Sequence, residues 1–296
     1  MRMPPHPTVL PLPALAPLPG WIVETPADTL EVAAFRSGAA LAHLCSLITE
    51  PRVPQALWRD RLALMAAGAC VAMSGRREDI AALRDAVHLT RPGDDPGPAG
   101  AIVMRWSRAT TRPVSFPGLG RELVGVSAEL ALRCLRSSRG DPVARAARAA
   151  EAVLSENLQA ESAALILADA VLARSLGHDR MLPLLALGLK PRDMAARGEA
   201  LRLACHRAVA IGASQAAPMA TDLARQALRL REIAPSLRAR GAARAVELFL
   251  SRDSVAPAAL ARFMSDRAAR RLCDRLVELG AVRELTGRAS FRFYGI

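Results

Sequence analysis

The sequence predicts an all-α protein: a multi-helix body followed by a C-terminal unit of three helices and a small β-hairpin. Apolar residues make up 51% of the chain but aromatic residues only 3%, and alanine and leucine dominate, which favours helix over sheet. Apolar residues recur at helical spacing through most of the chain. The spacing changes to the period of two typical of strands only after Gly280.

Proline and turn-forming residues divide the chain into three predicted regions. Residues 1–20 contain seven prolines, so we expect a disordered tail, because proline disfavours both helix and sheet ladder. Residues 21–232 are predicted to form the all-helical body. Ile233-Ala234-Pro235 separates this body from the predicted C-terminal domain, residues 236–296.

Capping and breaking residues place the helices of the body. Asp141-Pro142 is typical of an N-cap followed by the first helical residue. The loops richest in proline and glycine are predicted at 91–100 and 110–120. The first predicted helix opens at the capping-box pattern of Asp28 and Glu31 and runs to about Ile48. The other predicted helices span 54–75, 77–89, 98–106, 121–137, 142–157, 161–176, 193–211 and 218–232.

The last predicted helix begins after Ser265, whose hydroxyl can accept a hydrogen bond from a free backbone N–H of the first turn. Gly280 follows the helix in the position where glycine commonly ends one. One face of this helix carries the apolar residues Ala268, Leu272, Leu276 and Leu279. The opposite face and its edges carry the arginines Arg267, Arg270 and Arg271.

Two short strands are predicted after this helix, joined by the turn Thr286-Gly287-Arg288. Arg288 is expected at the tip of the hairpin and Arg292 on its outward face. Helix, turn, helix, turn, helix and hairpin is the order of a winged helix-turn-helix, in which the third helix can enter the major groove of DNA and the hairpin is the wing.

The arginines of this unit predict duplex DNA as a partner. Ser265, Arg267, Arg270 and Arg271 lie where a recognition helix meets bases, and a guanidinium group can bind guanine through two hydrogen bonds. Arg288 and Arg292 are expected near phosphate. From residue 238 onward the chain has 12 arginines and 6 acidic residues, a net charge of +6 out of a total of +12. Such a basic surface attracts phosphate.

A second polar group lies in the body, and we interpret it as structural. It consists of Arg77, Glu78, Asp85, His88, Asp94 and Asp95. We expect Arg77, Asp85 and Asp94 to hold the 91–100 loop against the third helix. The alternative is an acid–base or metal pocket, which is disfavoured because no nucleophile or paired ligand is suitably spaced.

No nucleotide-binding glycine loop, GxSxG or HExxH motif occurs, and the histidines lack metal-ligand spacing. We therefore predict no catalytic residue, metal or cofactor. Five cysteines occur singly, as in a reducing cytoplasm. No apolar run approaches the ~20 residues that span a bilayer, so we expect a cytoplasmic protein without a membrane segment.

Over nearly its whole length the sequence resembles an uncharacterised bacterial family, domain of unknown function 1403 (DUF1403). The most distinctive stretches are Gly75–Asp79, Ala82–Leu89, Arg91–Gly100, Ser265–Leu272 and Glu284–Arg288. This resemblance implies no activity. The order of domains is also similar to that of Fic-type proteins, which transfer AMP to hydroxyl groups. Their His-Pro-Phe and Gly-Asn-Gly-Arg motifs are absent, and the sole His-Pro pair is His6-Pro7, so no catalytic residue carries over.

We therefore predict a DNA-binding regulatory protein whose helical body senses a ligand or forms a homodimer. The alternative is a non-catalytic helical scaffold whose winged helix mediates protein–protein interaction, since a fold does not fix a function. An enzyme that uses the region from Glu78 to Asp95 is the third hypothesis.

Overall fold

Helices and one two-stranded hairpin form the regular structure of the chain, which a computed structural model describes over residues 15–24, 29–91, 93–288 and 290–296. The predicted tail therefore lies mostly outside the described residues. In the body the helices are α1 (Leu30–Ile48), α2 (Gln55–Met73), α3 (Ile80–His88), α4 (Gly97–Thr111), α5 (Phe116–Leu119), α6 (Ala128–Arg136), α7 (Pro142–Glu156), α8 (Glu161–Ser175), α9 (Leu184–Gly188) and α10 (Gly198–Ile233). The C-terminal unit contains α11 (Ala242–Phe249), α12 (Pro257–Leu260), α13 (Asp266–Glu278), β1 (Arg283–Glu284) and β2 (Tyr294–Gly295).

The predicted all-α class with a small hairpin is confirmed. Several helices start where an N-cap side chain accepts a hydrogen bond from a backbone N–H three residues later, as predicted for Asp141 before Pro142. Asp79, Ser127 and Ser265 cap α3, α6 and α13 in the same way.

The boundary predicted between 211 and 218 is wrong, because α10 continues through Pro218 as one helix of 36 residues. Proline removes one helical hydrogen bond and crowds the preceding turn. Packing offsets this cost: α1, α7 and α9 all lie against α10, and the buried Trp58 indole donates to the carbonyl of Ala216 at 3.0 Å. Smaller corrections are that α6 begins at Ala128 rather than 121 and that α5 lies within the predicted 110–120 loop.

Small side chains let α9 lie directly against α10. A Cβ added to Gly188 would lie 2.2 Å from the carbonyl oxygen of Ala208, and one added to Gly212 would lie 2.5 Å from that of Leu184. Such distances are far below van der Waals contact, so the two backbones touch here. Glycine is required at both positions.

Asp169 is a fully buried carboxyl in the middle of α8. Its oxygens accept hydrogen bonds from the backbone N–H groups of Leu185 at 2.9 Å and Ala186 at 3.3 Å. The carboxyl therefore satisfies donors at the start of α9 that have no helical partner. Burial outweighs these hydrogen bonds and raises the pKa of Asp169 to about 8.

The C-terminal unit continues the core of the body. Phe249, Val255, Leu272 and Tyr294 belong to the same cluster of buried side chains as the helices of the body. In the hairpin, Glu284 lies opposite Tyr294, and Tyr294 also forms an antiparallel bridge with the segment before α12. A shared core therefore crosses the boundary predicted near residue 235.

Candidate nucleic-acid interface

Helix α13 buries one face and exposes the other, as its sequence predicts. The buried face consists of Ala269, Leu272, Cys273 and Leu276. Leu272 and Leu276 were predicted, whereas Ala268 and Leu279 are only partly buried. Both sets have helical spacing, and alanine fits either position, so the periodicity alone could not choose between them.

The arginines at the start of α13 lie on its exposed face. Arg267, Arg270 and Arg271 are all exposed. Within the described part of the chain their side chains form no hydrogen bond or ion pair, in contrast to Arg275 in the last turn, which binds Glu278 at 3.1 Å. The predicted recognition residues are thus brought together as a group of solvated cations beside the N-cap Ser265.

Arg288 does not project freely from the tip of the hairpin, and that expectation is wrong. Its guanidinium group donates two hydrogen bonds to the carboxylate of Asp85 in α3, at 2.6 and 2.9 Å. The hairpin lies against the body, where Phe293 is buried beside the ring of His88, with ring centroids 4.9 Å apart.

Arg292 is exposed but is also occupied by neighbours in the hairpin. Its Nε donates to the backbone carbonyl of Arg288 at 2.9 Å, and it lies 3.7 Å from the carboxylate of Glu284. The two arginines predicted near phosphate are therefore partnered within the protein, whereas Arg267, Arg270 and Arg271 have no such partner among the described residues.

The polar group of the body is divided between separate contacts. Glu78 pairs with Arg76 at 2.8 Å, and Asp95 accepts from the backbone N–H of Gly97 at 2.9 Å. Arg77 and Asp94 are exposed and their side chains have no partner among the described residues.

The prediction that Arg77, Asp85 and Asp94 clamp the 91–100 loop is wrong. Asp85 and His88 lie on the side of α3 that meets the C-terminal unit, where Asp85 binds Arg288 and the Nε2 of His88 lies 2.8 Å from the hydroxyl of Ser254. A local helix pattern could not reveal partners more than 160 positions away.

Asp253, which sequence reasoning missed, is the centre of the contact between body and C-terminal unit. Its buried carboxylate accepts from Arg61 at 2.9 Å and from Arg84 at 2.6 Å. Its backbone N–H donates to Asp60 at 2.9 Å. Burial opposes ionisation, but the hydrogen bonds and charges of Arg84 and Arg61 outweigh it and hold the pKa of Asp253 below its ordinary value.

A cavity of about 550 Å³ lies beside Asp253, between α2, α3 and α4 of the body and the segment from α11 to α12. His88 and Ser254 contribute polar atoms to its wall. Desolvation lowers the pKa of His88, against the opposing charges of Asp253 and Asp60.

The His88–Ser254 pair lacks the third group of a nucleophilic triad. A base that activates a serine is usually oriented by a further hydrogen bond. Among the described residues, no side chain binds the other ring nitrogen of His88.

No group of three or more potential ligands among the described residues is positioned to bind a metal ion. Burial raises the pKa of the Cys70, Cys205 and Cys273 thiols to about 12, which makes them poor nucleophiles.

These features define a mainly helical protein with three exposed arginines at the start of α13 and, elsewhere, a cavity lined by its body and C-terminal unit. No helix among the described residues is long and apolar enough to cross a membrane. The chain belongs to the family described as protein of unknown function (DUF1403), which matches residues 9–296. No curated protein matches it.

Proposed function

We propose that this protein is a DNA-binding regulator that contacts the duplex through the N-terminal half of α13. The observation that carries the proposal is the exposure of Arg267, Arg270 and Arg271 on one helix, without acidic partners in the described part of the chain. Unpaired arginines are the groups that release counterions from DNA and read guanine.

The arrangement around α13 supports a winged helix. Helix α11, which buries one face, precedes the short α12, and Val255 between them pairs with Tyr294 of the hairpin. Strand pairing of this kind ties the wing to the helices, so that α13 is held on a rigid support. The carbonyl of Leu279 at its far end accepts a hydrogen bond from Arg229 of α10 at 2.9 Å, which suits the negative end of the helix dipole.

The proposed interface is centred on α13 rather than on the wing. Arg288 would have to leave Asp85 to reach a phosphate, and Arg292 would have to leave its contacts in the hairpin. We therefore assign base and phosphate contacts to Ser265, Arg267, Arg270 and Arg271. Arg292, which keeps an exposed edge, is assigned at most one phosphate.

The proposal is tested by measuring the affinity of the full chain for pooled genomic duplex fragments across a salt series. Arg271→Ala should weaken binding by about 1–3 kcal/mol if the residue forms a paired contact with guanine. The matched control is Arg275→Ala, which removes the same charge from the last turn of the same helix. That change should leave affinity nearly unaltered, because Arg275 already binds Glu278.

Equal losses of DNA affinity in both variants would mean that only net charge matters. That result would contradict base recognition by α13. Wild-type protein without salt-dependent affinity for any duplex would refute DNA binding. The protein-interaction scaffold would then be the remaining function for the C-terminal unit.

A further inference from the structure

The cavity between body and C-terminal unit has the size of a small-molecule site. Its volume of about 550 Å³ falls within the roughly 300–1,000 Å³ of ligand pockets. It lies at a seam between two parts of the chain, where such sites commonly occur. Both parts supply its wall, so an occupant would contact the two together.

The interior of the cavity is mostly apolar. Helices α2, α3 and α4 contribute aliphatic side chains from one side, and the segment from α11 to α12 contributes them from the other. These residues are Leu64, Leu83, Val87, Val103, Met104, Leu248, Val255, Ala256, Ala258 and Ala259. Such a lining favours a ligand with a hydrocarbon body, because its burial removes apolar surface from water.

The charges of the cavity favour an anion. Four arginines line it against two aspartates. The charge of Asp253 is balanced by its ion pairs with Arg84 and Arg61. Asp60 accepts a hydrogen bond from the backbone N–H of Asp253.

Three of these arginines lie at the rim of the cavity and can donate further hydrogen bonds to an anion. Arg252 lies 3.8 Å from Asp60, and Arg108 lies 3.9 Å from Glu122, which Arg112 binds more closely at 3.1 Å. Arg262 is exposed and stacks over the ring of Phe263 at 4.7 Å, with no carboxylate partner among the described residues. A cationic rim above an apolar interior fits an acid head group and an apolar tail.

We propose that this cavity binds a small amphipathic organic anion, with its hydrocarbon part between α3, α4 and α12 and its acid group at Arg252 and Arg262. A carboxylate and a phosphate monoester share this chemistry. The proposal is independent of DNA binding, since the cavity walls do not include the exposed face of α13.

Calorimetric titration of the full-length protein tests it with octanoate and octyl phosphate as the two anionic probes. At least one of these probes should bind with a stoichiometry of one per chain. The probe that binds more tightly shows whether the site prefers a carboxylate or a phosphate monoester. Octylammonium and octanol, which have the same tail, should bind at least tenfold more weakly. Bound anion should also slow hydrogen exchange of backbone amides in residues 251–263.

Arg262→Ala should weaken binding of the anion at least tenfold. The matched control is Arg244→Ala, because Arg244 contacts the same Phe263 ring at 5.8 Å but lies outside this cavity. Ala259→Phe, at an exposed lining position, should abolish binding by filling the space while leaving every charge in place.

The proposal is overturned if neither anion binds, or if octanol or octylammonium binds as tightly as the anions. Equal effects of the changes at Arg262 and Arg244 would also overturn it. Circular dichroism of each variant separates loss of the site from loss of the fold: a folded Ala259→Phe protein that still binds the anion contradicts the assignment.

Discussion

Two contacts within the protein use opposite means to hold helices together. Between α9 and α10 the backbones touch at Gly188 and Gly212, and the surrounding side chains are mostly small and buried. Between the body and the C-terminal unit, the buried Asp253 forms ion pairs with the partly buried Arg61 and Arg84 beside the shared apolar core, and a cavity lies next to them.

The difference indicates which contact can change. Close-packed backbones have one arrangement, because any shift produces overlap or a void. A seam where ion pairs border a cavity can admit a ligand without disrupting the core. This contrast is the physical reason for placing the proposed ligand site at the seam rather than between α9 and α10.

The largest expected effect is at the seam. Asp253→Ala leaves two largely buried guanidinium groups, on Arg61 and Arg84, without their carboxylate. Breaking a buried pair in this way costs about 3–5 kcal/mol, so urea unfolding should show a loss of that size. Glu278→Ala, which removes the exposed partner of Arg275, is the control and should change stability by less than about 0.5 kcal/mol. Similar values for both would show that Asp253 does not hold the seam.

A smaller effect is expected from the backbone contact. The Cβ introduced by Gly212→Ala would lie 2.5 Å from a backbone oxygen of α9, so α9 must move, at a cost of about 1–3 kcal/mol. Gly38→Ala is the matched control, since nothing lies within 4 Å of that added Cβ and alanine is favoured in a helix by up to about 1 kcal/mol. The midpoint temperature of thermal unfolding should therefore fall for Gly212→Ala and rise for Gly38→Ala. Stabilisation by both changes would contradict the close approach.

Asp169 makes the stability of the body depend on pH. Its pKa is about 8 in the folded protein, against an ordinary value of 3.8, so the folded state retains a proton that the unfolded state has lost. This contribution is fully present below pH 4 and declines towards pH 8, by about 1.4 kcal/mol per pH unit. The difference in unfolding free energy between the wild type and Asp169→Asn should show this decline between pH 5 and 8. Parallel pH profiles would instead indicate an ionised carboxylate.

The smallest effect concerns the hairpin. Arg288 and Asp85 are each about one-third exposed, at 37% and 32%, so solvent screens their attraction. A double-mutant cycle with Arg288→Ala and Asp85→Ala should give a coupling energy of about 0.2–1 kcal/mol. Strictly additive changes would mean that this ion pair does not help to hold the hairpin against the body.

Local chemistry was sufficient to predict much of the structure. The all-α class, the capped starts of α7 and α13 and the exposure of Arg267, Arg270 and Arg271 depend on periodicity and on residues within one helical turn. The burial of Ala269 rather than Ala268 could not be predicted in this way, because alanine fits both the buried and the partly buried position.

Contacts between distant residues were decided only by the tertiary structure. The sequence predicts a break between residues 211 and 218, with a new helix from Pro218, yet packing on several sides holds α10 in one piece. Asp253 carries no signal in its loop, because its partners Arg61 and Arg84 precede it by 192 and 169 positions. From its local sequence Arg288 was expected to be a free cation at the hairpin tip, but in the fold Asp85 lies beside it. Sequence alone therefore determined the all-α class and the exposed arginines at the start of α13, since both follow from neighbouring residues. The fold determined which charges remain available to a partner, because an arginine is free only when no carboxylate from elsewhere in the chain reaches it.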